Sequence, residues 1–162
     1  MKSVVSSMII CVVAGVASAE APLSRVWTDQ GWPNLQGEMP QTWYGISQGS
    51  RLIRLDWFLA LSQGDAPFAG RALADDYGYP FWNDNAVLPI GFVPDTDDDG
   101  TRWLGLNCAA CHTSRLTYEG TELMVHGGQS SGDFRSFLGD LTAAVTHVYD
   151  DPDLSAAFRE SL

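Results

Sequence analysis

The chain has 162 residues, with 20 acidic side chains against 9 basic ones, a net charge of −11 and 45% hydrophobic residues. That length and apolar content suit one domain with one core, and the acidic balance argues against nucleic acid or an anionic lipid surface as a partner. A basic partner protein fits the charge, with solubility alone as the competing explanation.

Met1-Lys2 leads into an apolar stretch from Val4 to Val16 and then Ala17-Ser18-Ala19 before Glu20. This is the pattern of a secretory signal peptide over residues 1–19, with an A-x-A-like cleavage site after Ala19. The apolar run is too short to span a bilayer comfortably, so no stable membrane insertion is expected after cleavage. The bulky Ile10 before Cys11 argues against a lipoprotein. Cleavage removes Lys2, the one charged residue of the leader, and so takes the charge from −11 to −12. Cys108 and Cys111 remain as the only cysteines of residues 20–162. They face an exported setting, periplasmic or extracellular, where unpaired thiols are a liability.

From Glu20 to Ser50 the chain is rich in Gly, Pro and Trp, which predicts an irregular, aromatic-rich N-terminal wrap. Trp27, Trp32, Trp43 and Tyr44 read as core filling. Ser50 to Ser62 reads as a buried helix carrying Leu52, Ile53, Leu55, Phe58, Leu59 and Leu61, stopped by Gly64. A shorter helix is expected over Ala66 to Tyr77. Leu88 to Pro94 is an extended apolar segment whose prolines argue against a central strand. Asp95-Thr96-Asp97-Asp98-Asp99-Gly100 matches the first half of an EF-hand loop. The twelfth position is Leu106 rather than Glu, and Pro94 stands where a helix would have to end, so a solvated acidic turn is expected and calcium is not.

Cys108-Ala109-Ala110-Cys111-His112 is the C-x-x-C-H pattern of covalent c-type haem attachment. On a helical turn the two cysteines lie three apart on one face, each able to form a thioether to a haem vinyl group, and His112 follows as the proximal iron ligand. A redox dithiol, half of a zinc site and a structural disulfide are the competing readings. Zinc would need two more ligands, and a thioredoxin-type dithiol would need a βαβ setting. Asn107 is a candidate N-cap for the turn. Met39, Met124, His126 and His147 are candidates for the sixth iron position, behind an open or water-ligated site. Met124 also reads as core and His126, in a Gly-rich turn, as solvated. Arg51 or Arg54 could meet haem propionates, with an ion pair from Arg54 to the neighbourhood of Asp56 as the alternative.

Beyond the motif, a hairpin around Glu119-Gly120 is expected, then a helix from Phe134 whose apolar positions are Phe137, Leu138, Leu141, Val145 and Val148. Ser130 with Asp133 carries its capping signal, and His147 falls on its solvent side. Asp151-Pro152 opens a last helix with Leu154, Phe158 and Leu162 on its buried face. Ending on such a face, the chain reads as the N-terminal part of a longer protein.

Four stretches taken in order resemble the exported di-haem cytochrome c peroxidase-like family that includes the rubber oxygenases. They are Gln48-Gly49-Ser50 through Asp56 to Leu61, Leu88 to Asp95, Trp103 to Leu106 with Cys108 to Thr113, and Gly127-Gly128 through Asp133-Phe134 to Phe137-Leu138. The resemblance implies a mostly α-helical fold of cytochrome c-like haem domains, two to a complete protein. It implies haem c held by Cys108, Cys111 and His112, electron transfer, and peroxide or dioxygen as a small oxidant where an iron position is open. The chain has no second C-x-x-C-H, so only the N-terminal haem domain is expected here, and whether the whole is an enzyme depends on residues outside it. His126 stands where an acidic residue would precede the glycine pair. A stand-alone mono-haem electron carrier, partnered by a basic redox protein, is the alternative, and a haem-free binding or structural domain is a further one.

Overall fold

A computed structural model describes residues 24–28, 43–64, 66–83 and 86–162. The expected signal peptide, Trp32 and Met39 lie outside the described residues.

Two three-stranded sheets and a two-residue ribbon carry the fold. The first sheet joins β1 (Ser24–Thr28), β8 (Thr121–His126) and β7 (Thr113–Tyr118) in the order β1-β8-β7, with β1 parallel and β7 antiparallel to β8. The second has the order β2-β6-β5, with β2 (Ile53–Arg54) and β5 (Phe92–Thr96) each antiparallel to β6 (Arg102–Leu106). The ribbon pairs β3 (Ser62–Gln63) with β4 (Ala66–Pro67). The helices are α1 (Leu55–Ala60), α2 (Ala72–Asp75), α3 (Cys108–Cys111), α4 (Phe134–Asp150) and α5 (Pro152–Glu160).

The expectation of a mostly α, cytochrome c-like fold is therefore wrong: 35% of the described chain is helix and 27% strand. The physical reason lies in the alternation of side chains. Along β8, Glu122, Met124 and His126 are buried while Thr121, Leu123 and Val125 are more open, which is the period of a half-buried strand and not of a helix. The region 50–62 is likewise shorter in helix than its apolar content suggests. Leu52 donates its N–H to the Leu104 carbonyl at 2.7 Å, Ile53–Arg54 joins the second sheet, and only Leu55–Ala60 is helical. Of residues 66–77, only Ala72–Asp75 forms a helix, because Ala66–Pro67 is drawn into the ribbon. Trp27 belongs to a regular strand rather than to an irregular wrap.

Local signals elsewhere hold. The β7–β8 hairpin closes at Glu119 (φ 45°) and Gly120 (φ 74°), the two positive φ values of a tight strand turn. Pro94 sits in β5, an edge strand, where its missing N–H costs no ladder bond to a further neighbour. Asp151 accepts from the N–H groups of Asp153 (2.9 Å) and Leu154 (3.1 Å), with Pro152 following at the first helical position. The cap of α4 is Asp133, whose carboxylate accepts from Ser136 N–H at 3.0 Å, and not Ser130. Leu154 and Leu162 remain 38% and 51% exposed, so of the last helix's expected buried face only Phe158 packs against the core.

The main core gathers Phe58, Phe68, Tyr77, Tyr79, Phe92 and Phe137 in mostly edge-on ring contacts, such as Phe92 to Phe137 at 5.3 Å and 79°, with Phe68 and Tyr77 stacked. Phe137 and Leu141 bring α4 onto it. A smaller cluster of Tyr44, Ile90, Ala109 and Met124, flanked by Trp27 and Trp82, lies against the first sheet. Among the described residues no helix is long and apolar enough to cross a membrane.

Gly91 joins these parts. It has φ +83°, and a Cβ there would lie 2.1 Å from the Ala110 backbone nitrogen, while its carbonyl accepts from Asn107 N–H at 2.9 Å. Both the left-handed backbone and the close approach require the absence of a side chain. Gly91→Ala is expected to destabilise the fold by about 2–4 kcal/mol. Urea unfolding followed by tryptophan fluorescence checks this, the midpoint falling without a change in slope.

Candidate functional site

α3 is a single helical turn between two sheets: β6 feeds it and β7 leaves it. Asn107 makes the turn possible. Its backbone is extended (φ −112°, ψ −178°), and its side-chain oxygen accepts from Ala109 N–H at 2.9 Å, satisfying a donor that the first turn of a helix leaves open. Its side-chain nitrogen donates to the carbonyls of Trp43 (3.1 Å), Tyr44 (3.3 Å) and Ile46 (3.0 Å). The expected N-cap is thus present, and the same side chain also ties the turn to residues 43–46.

Residues one and two positions into a turn point away from those at its start and at three on. Ala109 and Ala110 are accordingly buried, at 1% and 2% exposure, whereas Cys108, Cys111 and His112 are exposed. Both cysteines are free thiols. Cys108 donates to Gln48 Oε1 at 3.2 Å. The turn's exit is pinned through its carbonyls: Cys111 accepts from Ser130 N–H at 2.9 Å and His112 from Gly127 N–H at 2.8 Å. Nearby Tyr79 has its phenol pushed up to about 12, chiefly by burial and in smaller part by Cys111 and Asp133.

The flanking strands lie in different sheets, so the turn is not the crossover of a βαβ unit and lacks the setting of a thioredoxin-type dithiol. Among the described residues, no group of three or more His, Cys, Asp and Glu side chains could hold a metal ion. A covalent haem asks for less: two free thiols on one side of a turn and an imidazole directly after it. These residues meet that requirement.

The other candidates lie apart from this surface. Met124 is fully buried, as its core reading anticipates. His126 is also buried, at 5% exposure and bonded through Nδ1 to the Tyr44 hydroxyl, so the expectation of a solvated histidine is wrong. The reason is register, since His126 pairs with Thr113 at the end of β8 and faces the same side as Met124 and Glu122. His147 is exposed on α4. Arg54 is held by Asp56 at 3.1 and 2.6 Å, the ion-pair alternative. Arg51 pairs with Asp95 at 3.4 Å and with Asp97. The acidic segment is the turn between β5 and β6. There Asp97 accepts from Trp103 Nε1 at 2.7 Å, and Asp99 accepts from Thr101 N–H at 2.9 Å.

Sequence reasoning misses the surroundings of His126. Its imidazole stacks on Trp27 (5.4 Å, 21°) and Tyr44 (5.4 Å, 26°), and Trp82 closes the cluster 4.5 Å from Trp27. Below it, buried Glu122 pairs with Arg25 and lies 3.8 Å from Arg115, while Arg25 donates to the Trp82 carbonyl at 2.7 Å. No sequence signal points to this face, because along β8 the polar Glu122 and His126 are buried while the apolar Leu123 and Val125 are more open.

No family model matches the chain, and no solved structure matches it. The chain is 32% identical over 135 residues to an uncharacterized protein, y4iJ, of Sinorhizobium fredii (strain NBRC 101917 / NGR234), in a match covering 68% of this chain and 22% of that protein. The chain thus spans about a fifth of the length of that relative.

Asn107→Ala removes the cap and leaves three carbonyls without their shared donor. The expected loss is about 2–3 kcal/mol of stability, with hydrogen exchange at Ala109 and Ala110 amides accelerating more than exchange in α4.

Proposed function

We propose that Cys108, Cys111 and His112 attach one haem c covalently, and that the chain is the haem-bearing part of an exported redox protein. The observation that carries this is the division of the turn: two free, exposed thiols and the imidazole on the outside, two alanines packed inside. Each thiol can add across a vinyl group, its sulfur bonding one carbon and its proton passing to the other, so attachment needs neither oxidant nor leaving group. His112 would supply an imidazole nitrogen to the iron. When bound, the haem provides a one-electron centre and, where an iron position is open, a place for peroxide or dioxygen.

The chain's own residues set the terms of that chemistry. Asn107 and Gly91 hold the turn in place for attachment. Met124 and His126 are engaged in the buried cluster and do not share the exposed side of the three attachment residues. The charge of −11 suits a basic redox protein as electron partner. Export is part of the proposal, through the leader-like residues 1–19. The chain's resemblance to di-haem peroxidases and oxygenases supports a place as the N-terminal haem portion of such a protein.

Expression in a bacterium with its cytochrome maturation machinery, followed by a pyridine haemochrome spectrum of denatured protein, tests the reading. A c-type spectrum is expected, shifted to longer wavelength and reduced in yield in Cys108→Ala and Cys111→Ala, and lost when both are replaced. Denatured wild-type protein free of covalent haem would overturn it.

A further inference from the structure

The geometry points to Tyr44 and His126 as a proton-coupled, oxidisable side-chain pair placed beside the attachment turn. The inference rests on the haem reading only for the source of the oxidising equivalent, a haem iron oxidised by peroxide or dioxygen. Everything else about it belongs to the chain itself.

The pair is built rather than incidental. The Tyr44 hydroxyl and His126 Nδ1 share a buried hydrogen bond, with Tyr44 at 7% and His126 at 5% exposure. The imidazole, Trp27 and Tyr44 form a three-cornered cluster with ring centres 5.4, 5.4 and 5.8 Å apart, and Trp82 lies 5.1 Å from Tyr44. The pair also touches the turn through the backbone at two points: Asn107 donates to the Tyr44 carbonyl, and His126 pairs with Thr113, the residue after His112.

The chemistry follows from burial. Desolvation pushes the Tyr44 phenol well above its ordinary value of 10, against a smaller opposing contribution from the Thr113 hydroxyl, so phenolate does not form in advance. Removing an electron from the intact phenol would leave a radical cation in an apolar cluster, which is costly. His126 relieves that cost. In the tautomer that carries its proton on Nε2, Nδ1 accepts from the Tyr44 hydroxyl; one electron then leaves the Tyr44 ring for the oxidant, the phenolic O–H bond breaks, and its proton forms an N–H bond at Nδ1. The products are a neutral phenoxyl and an imidazolium held in place by the same hydrogen bond. Return of one electron reverses both changes. The pair would store one oxidising equivalent within the buried cluster.

The test uses the full chain as purified, carrying Tyr118→Phe and Tyr149→Phe to remove the two most exposed tyrosines, 67% and 83% exposed. A flash-generated ruthenium polypyridyl oxidant withdraws one electron, and EPR follows the product. A neutral tyrosyl signal is expected, formed more slowly in D2O than in H2O, lost in Tyr44→Phe and strongly reduced in His126→Gln. A signal that persists in Tyr44→Phe, or forms at equal rates in the two solvents, would overturn the inference. The solvent comparison needs no substitution at either residue, so it stands even if His126→Gln folds poorly. Because ruthenium supplies the oxidising equivalent, absence of covalent haem would defeat the haem reading and leave this result intact. Absence of the Tyr44 radical would do the reverse.

Discussion

Everything around the candidate site depends on one short turn being held from its inner side. Asn107 caps it and binds three carbonyls of residues 43–46, Ala109 and Ala110 fill the space beneath, and Gly91 approaches so closely that no side chain fits between. A four-residue helix has no stability of its own, because nucleation is costly and such a turn gains few hydrogen bonds. It persists because the sheets on either side over-determine it. The consequence is a fixed outward display of Cys108, Cys111 and His112, which is what covalent capture of a planar cofactor requires.

The same arrangement divides the molecule into a reactive outside and a guarded inside. Outside are free thiols and an imidazole. Inside lie Tyr44, His126, Trp27 and Trp82, joined by ring stacking and one buried hydrogen bond. The large aromatic core of Phe58, Phe68, Phe92 and Phe137 stands apart from both and gives α4 its seat. The net charge of −11 disfavours association with polyanions.

How much of this is legible in the sequence depends on the range of the physics involved. Asn107, Asp151-Pro152 and Glu119-Gly120 can be read because caps and tight turns are decided by two or three neighbouring residues. Met124 as core and Arg54 beside Asp56 follow from equally local reasoning. The fold class does not follow: a mostly α architecture comes with the family resemblance, whereas the alternation in β8 and the pairing of Ile53–Arg54 with β6 report strands. His126 is misplaced for a related reason. A Gly-rich neighbourhood suggests a loose turn, yet long-range pairing with Thr113 carries the imidazole into the aromatic cluster, and sheet register is set by contacts that no local window contains.

The central claim is that Cys108 and Cys111 carry a covalent haem, and its most direct measurement is the mass of the denatured protein after production in a host with cytochrome maturation machinery. The account predicts the polypeptide plus one haem, with the added mass confined on proteolysis to the peptide containing Cys108-Ala109-Ala110-Cys111-His112. A polypeptide mass without that addition, in material whose host matures its own cytochromes normally, would contradict it.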